Sequence, residues 1–298
     1  MNPACTLLSP RASAFLDPAF TIETLDDSCA FSEGPVWHPD GFYLFSDIPA
    51  NAIFRIAPGK PKEQWLRPSG CTHTDTQPLS EQVGSNGLAL GPDGALYICQ
   101  HGNGAVARWR NGGLEPFVDG INGKPFNSPN DLVVHADGTL FFSDPPYGLA
   151  GQSLNPAIRQ EGAAFYAFRE GEMTAFCTEY DYPNGLCLSP DGATLYLCSS
   201  KPFERFVLAY RASTLEKIGI VAEESSDGIK CDRSGNLYLC TKEGILVLSP
   251  KGERLARIEL PTVPANCCWG GEAGRDLLVT ARQNIFLLRG LQKGVQAY

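Results

Sequence analysis

The sequence predicts an all-β fold, a six-bladed β-propeller, and three observations carry that prediction. The first is a sixfold register in which a polar residue falls eight positions before a glycine. The pairs are Glu33 with Gly41, Asn86 with Gly94, Asn130 with Gly138, Asn184 with Gly192, Asp227 with Gly235 and Asn266 with Gly274. The second is what each pair encloses: EGPVWHPDGFYLF, NGLALGPDGALYI, NDLVVHADGTLFF, NGLCLSPDGATLYL, DGIKCDRSGNLYL and NCCWGGEAGRDLLV. Each is an apolar run, a turn and a second apolar run, the pattern of a β-hairpin. The third is the period. Successive turn glycines lie 53, 44, 54, 43 and 39 residues apart, near the roughly 40–50 residues of a four-stranded blade.

In chain order, residues 1–18 read as an N-terminal extension and residues 1–298 as one domain. FTIETL, Phe20 to Leu25, precedes the first repeat and is expected to close the ring by pairing in the last blade with ARQNIFLLRG, which removes an open sheet edge. After each hairpin the chain has room for two more strands. IPANAIFRIAPG, HGNGAVARWRNGGLEPFV, LAYRASTLEKIGIVA and GILVLSPKGERLARIEL supply them. No helical 3.6-residue period persists, and the 31 glycines and 23 prolines fit many tight turns.

Composition narrows the function classes. The net charge is −9 with no basic cluster, which argues against a nucleic-acid partner. No stretch approaches the ~20 apolar residues of a membrane span, and the N-terminus lacks a signal peptide's basic start and apolar core. The 11 cysteines are odd in number and contain no C-x-x-C pair. Cys99, Cys198 and Cys240 recur at one place in three hairpins, with Cys187 and Cys231 in the preceding strands. They read as small core residues of a protein in a reducing compartment. A cytoplasmic location is the expectation.

In a propeller the first strand of each blade lines the central channel, so the six polar leaders should converge near one mouth. All are oxygen donors, and two, Glu33 and Asp227, are carboxylates. That set suits one hard divalent cation, Ca²⁺ first, with Mg²⁺ or Mn²⁺ also accepted. Zn²⁺ is less favoured because it recruits His or Cys. The plain alternative is that Asn-Gly and Asp-Gly are turn dipeptides opening each blade. The shared phase of six polar residues, one of them a glutamate, favours the cation site.

The segments FSEGPVW, SNGLALGPDGALYICQHGNGAVARW, FNSPNDLVVHADGTLFFSDPPYG, YPNGLCLSPDGATLYL and SSDGIKCDRSGNLYLCT resemble those of the gluconolactonase/regucalcin family, over roughly residues 30–280. The resemblance implies a six-bladed propeller, a divalent cation in the central channel and hydrolysis of sugar lactones. It implies Glu33, Asn184 and Asp227 as metal ligands, and Asn130 as a ligand or substrate contact. Asn86 and Asn266 then belong to the pocket lining or lie behind the ligands. Asp227 resembles the family's base, with a cation-activated water as the alternative source of the nucleophile. No G-x-S-x-G serine motif is present.

Around the ring, His101 and Tyr147 are candidate substrate contacts, and His73 lies in a loop able to cover the pocket. Lys124 and Asn127 precede Asn130 in a stretch that lies over the family's pocket. The family more often has arginine at the position of Pro125, which bears on substrate identity. His38 and His135 fall in hairpin turns, and Trp37, Trp109 and Trp269 read as packing aromatics. The expected partner is a small sugar lactone bound by a monomer or homodimer. Competing readings are an organophosphate or aryl ester hydrolase on the same ring, and a propeller that binds a cation or ligand without turnover.

Overall fold

A computed structural model describes residues 4–14, 16, 20–73, 81–201, 203–291 and 294–295. Six antiparallel sheets follow one another along the chain, and each places its first strand innermost. Blade 1 is Ser32–His38, Phe42–Asp47, Ala52–Ile56 and Glu63–Leu66. Blade 2 is Ser85–Leu90, Leu96–Gln100, Ala105–Arg110 and Gly113–Val118. Blade 3 is Leu132–Val134, Leu140–Asp144, Ala164–Arg169 and Glu172–Cys177. Blade 4 is Pro183–Leu188, Thr194–Ser199, Val207–Arg211 and Lys217–Ala222. Blade 5 holds Ile229–Cys231, Leu237–Thr241, Gly244–Leu248 and Arg254–Ile258. Blade 6 holds Asn266–Gly270, Asp276–Ala281 and Asn284–Arg289. Its fourth strand, Thr21–Asp26, pairs antiparallel with Asn284–Arg289.

The N-terminal stretch is more than an extension. Cys5–Leu7 pairs with Arg254–Ile258 as a fifth strand of blade 5. Cys5, Ala12, Leu16 and Phe20 are buried in the core between blades 5 and 6. Three residues are too few to show a period-2 pattern, so nothing in the sequence marks this strand. Among the described residues there is no α-helix, only two short 3₁₀ segments, and no helix long and apolar enough to cross a membrane.

The core is divided between blades because side chains alternate across each strand. In blade 1, Tyr43 and Phe45 pack against Leu278 and Leu287 of blade 6. Leu44, between them, packs against Leu96 and Ile98 of blade 2. Equivalent clusters fill the other four junctions, so hydrophobic contact runs round the whole ring. The eleven cysteines are all free and ten are buried. Cys99, Cys198 and Cys240 lie in the second strands of their blades and are at most 1% exposed.

Four leaders, Glu33, Asn86, Asn184 and Asp227, are followed by a glycine, and its role differs from that of a turn glycine. Gly87 and Gly185 lie inside inner strands. A Cβ on Gly185 would stand 2.4 Å from the Asp227 carbonyl oxygen, and one on Gly87 would stand 2.7 Å from that of Asn130. The amides of these glycines donate to those carbonyls, at 2.9 and 2.7 Å. Glycine therefore lets the backbone of one blade dock on the leader of the next, which brings successive leaders into side-chain contact.

Candidate functional site

The leaders sit at the start of the inner strands. Glu33, Asn86 and Asn184 are second residues of their strands and Asn266 is a first residue. Asn130 and Asp227 lie two residues before theirs. In blades 1, 2 and 4 the register between inner and second strand shifts just after the leader. Such an irregularity re-aims a side chain out of the pleat.

Three amides form a one-way relay. Asn86 Nδ2 donates to Asn130 Oδ1 at 2.6 Å, Asn130 Nδ2 to Asn184 Oδ1 at 2.7 Å, and Asn184 Nδ2 to Asp227 Oδ1 at 2.8 Å. The acceptor that ends the relay is a carboxylate, so the direction of every amide is set by Asp227, which can only accept when ionised. At the other end, Asn86 Nδ2 also faces His101 Nε2 at 3.2 Å. His101 Nδ1 lies 2.9 Å from the Gln82 carbonyl. That carbonyl only accepts, so Nδ1 carries the proton and Nε2 receives from Asn86. Burial pulls the His101 pKa down to about 4, which keeps the ring neutral and able to accept.

Among the described residues this leaves Asn86 Oδ1 buried without a hydrogen-bond partner, an unmet acceptor in a site made of acceptors. Asn130 and Asn184 each spend one oxygen lone pair on the relay and keep another. Glu33 is 3% exposed, and its Oε2 takes the Gly34 amide at 2.6 Å. Burial, and then the charge of Asp227, hold the Glu33 carboxyl well above its ordinary range. Burial likewise pushes Asp227 up to about 7, against the hydrogen bond from Asn184. Two acids that resist ionisation together, beside amide oxygens, fit a divalent cation. Among the described residues no three His, Cys, Asp or Glu side chains gather as a metal cluster, so a cation here needs the amide oxygens.

Beneath the ring lies an ion pair between a half-buried lysine and a buried aspartate that the sequence reading missed. Lys230 Nζ lies 3.2 Å from Asp131 Oδ2, and Asn266 Nδ2 meets the same oxygen at 3.3 Å. Burial alone would lower the Lys230 pKa, but Asp131 raises it above the usual lysine value. The signal was present: a lysine between buried Ile229 and Cys231 in an inner strand calls for a partner. Asn266 thus faces this pair, and its Oδ1 accepts the Cys267 amide.

The remaining predicted residues divide. Tyr147 hydroxyl meets Ser200 Oγ at 2.7 Å; burial raises its pKa above the phenol range, with Asp227 and Asn184 among its neighbours. Asn127 is buried, donates to the Gly162 carbonyl and leaves its own Oδ1 without a partner. Lys124 contacts the loop beyond, donating to the Pro156 carbonyl at 2.8 Å and lying 3.6 Å from Glu161; among the described residues these contacts are with that loop and not with the ring. His73 Nε2 lies 3.2 Å from the Gly102 carbonyl. His38 and His135 cap their turns, taking the amides of Asp40 and Asp137 on Nδ1. Trp269 is buried, and with Trp37 it lines a cavity at the opposite end of the channel.

Three likenesses to known proteins accompany this geometry. The chain is 32% identical to the gluconolactonase of Zymomonas mobilis, over 95% of this chain and 85% of that protein. The solved gluconolactonase of Xanthomonas campestris superposes with a TM-score of 0.81 at 25% identity, covering 96% of this chain and 95% of that one. The calcium-binding protein regucalcin from Agrobacterium tumefaciens shares the fold, with a TM-score of 0.72 at 20% identity over 93% and 96% of the two chains. The model of the SMP-30/gluconolactonase/LRE-like region matches residues 31–283, and the chain belongs to that family.

Proposed function

We propose that the chain is a divalent-cation-dependent hydrolase that opens sugar lactones. The observation that supports this most is the buried, all-oxygen ring in which three amides lead to Asp227 and a second acid, Glu33, stands in the field of the first. The likeness to gluconolactonases names the substrate class. Glu33, Asn130, Asn184 and Asp227 would hold the cation. Ca²⁺ is the first choice on the oxygen donors, with Mg²⁺, Mn²⁺ or Zn²⁺ as substitutes. When bound, the cation supplies Lewis acidity that polarises the lactone carbonyl and stabilises its developing negative oxygen.

The chain's own residues supply the rest. Asp227 takes a proton from the attacking water as the new C–O bond forms at the carbonyl carbon. It returns that proton to the ring oxygen as the lactone C–O bond breaks, so one water is consumed and the product is a hydroxy acid, whose carboxyl then ionises and releases acid to the solvent. Asn184 holds the Asp227 carboxylate in place through its 2.8 Å hydrogen bond. Neutral His101 fixes the amide of Asn86, whose buried oxygen is left as an acceptor for a ligand hydroxyl. Tyr147, Asn127 and Asn266 offer further polar groups, and Lys124 would contribute only if its loop turned inward.

The test is lactone-dependent acid release by the purified protein, with and without a chelator. Turnover of an aldonolactone should vanish on chelation and return with Ca²⁺ or Mn²⁺. Full turnover in Asp227→Ala on every lactone tried would defeat the reading.

A further inference from the structure

Among the described residues, two cations at the leader end stand outside any ion pair. Lys201 follows Ser199, the last residue of the second strand of blade 4. The Ser199 carbonyl takes the amide of Ser226, the residue before Asp227, and Ser199 pairs with Pro183, the residue before Asn184. Arg282 follows the second strand of blade 6, and its carbonyl takes the amide of Ser32, the residue before Glu33, at 2.7 Å. Both cations therefore leave the backbone beside the acids of the ring.

Aromatic faces, rather than acids, brace them. Lys201 Nζ lies 4.3 Å from the Tyr182 ring centroid and 5.2 Å from that of Tyr147. Its hydrogen bond goes to the neutral Gln152 Oε1 at 3.2 Å. Arg282 Cζ lies 5.6 Å over the ring of Phe31. Among the described residues neither forms an ion pair, whereas Lys62, Arg108, Lys217 and Arg254 each do. Both lie within electrostatic reach of Asp227. Arg282 also has φ +57° in a tight hairpin turn, a left-handed conformation in which Gly or Asn is the less strained choice. In a chain of net charge −9, two cations at one mouth that form no ion pair among the described residues, one on a strained backbone, are suited to an anion that arrives with the ligand.

The ring takes the lactone carbonyl, so the rim cations face what remains of the substrate. We propose that Lys201 and Arg282 form an anion-reading rim, and that the preferred substrates are lactones carrying a second ionised group, a carboxylate or a phosphate, away from the lactone carbonyl. This rests on the lactonase reading. A guanidinium matches either group with two parallel hydrogen bonds, and the ammonium adds a point charge.

The experiment compares kcat/KM for neutral glucono-1,5-lactone, glucaro-1,4-lactone and 6-phosphoglucono-1,5-lactone at saturating cation. The proteins are wild type, Lys201→Met, Arg282→Met, the double variant, and the conservative Lys201→Arg and Arg282→Lys. Wild type should favour at least one acidic lactone, and which one it favours identifies the anion. Each methionine substitution should lower the acidic-to-neutral ratio about tenfold, the size expected for a hydrogen bond to a charged group, and the conservative variants should keep most of it. Salt should raise KM for the acidic lactone alone. No acidic preference in wild type, or an unchanged ratio in the double variant, overturns the proposal. If none of the three lactones is hydrolysed, the lactonase reading fails and calorimetry decides the rim. Binding of glucarate or 6-phosphogluconate, but not sorbitol, that is lost in the double variant upholds the rim; no binding, or binding unchanged in that variant, overturns it.

Discussion

The two ends of the central channel are lined by the same six strands, yet they differ as solvents. At the leader end stand Glu33, Asn86, Asn130, Asn184, Asp227 and Asn266. Four residues further along four of those strands come Leu90, Val134, Leu188 and Cys231, which wall a cavity of about 350 Å³ at the turn end. Its mouth carries His135 and Asp191, and the Asp131–Lys230 pair lies between the two ends. This cavity thus lies at the end without paired acids. The hairpin turn with its glycine recurs in all six repeats, while the leader changes among Glu, Asn and Asp. The repeated part builds the ring, and the varied part gives it chemistry; a cavity alone does not mark the site.

A pair of substitutions divides the ends most sharply. Asp227→Asn should lower kcat by about a thousandfold, as expected on losing a base and charge beside a developing oxyanion, with little loss of unfolding free energy. Leu90→Ala, at a site 4% exposed, should cost about 2–4 kcal/mol in urea unfolding and leave kcat/KM within roughly twofold, outside the reach of its cavity. Comparable activity losses in both would erase the distinction between the ends.

A smaller effect sharpens the leader end. His101→Phe removes the acceptor that orients Asn86, and should weaken Ca²⁺ binding about tenfold, the usual scale for a group behind a ligand set. Calorimetry reads it directly, and unchanged affinity would detach His101 from the ring.

The smallest concerns pH. Asp144 accepts the amides of Asn127 and Ser128, yet burial pushes its pKa up to about 7. Unfolded, it titrates near 3.9, as a free aspartate does. The folded chain therefore keeps a proton that the unfolded chain releases between those values, and stability present in acid is lost as pH rises through 7. Melting temperatures should fall less between pH 5 and 8 in Asp144→Asn than in wild type; equal slopes would show that Asp144 titrates normally.

Much of this was legible in the sequence because the leader-to-glycine spacing records a backbone repeat. The six inner hairpins and the convergence of the leaders follow from it. The role of the glycine that follows four of the leaders was not legible, since Gly87 and Gly185 answer to the backbone of another blade, some forty residues away in sequence. The relay was hidden for the same reason: its direction depends on a carboxylate at one end and a histidine tautomer at the other. Lys230 was readable as an anomaly within an apolar strand and was passed over. The resemblance puts Lys124 over the pocket, whereas its side chain contacts the loop at residues 156–161. Cys5–Leu7 lacked the length to declare itself.

The central claim is that the leader end, and not the turn end, holds the cation. Calorimetric titration of Ca²⁺ into chelator-treated wild type, Asp227→Asn and Leu90→Ala tests it without relying on turnover. One site per chain is expected in wild type and in Leu90→Ala, with binding abolished or weakened at least about a hundredfold in Asp227→Asn by loss of a charged ligand. Equal affinity in wild type and Asp227→Asn would contradict the account.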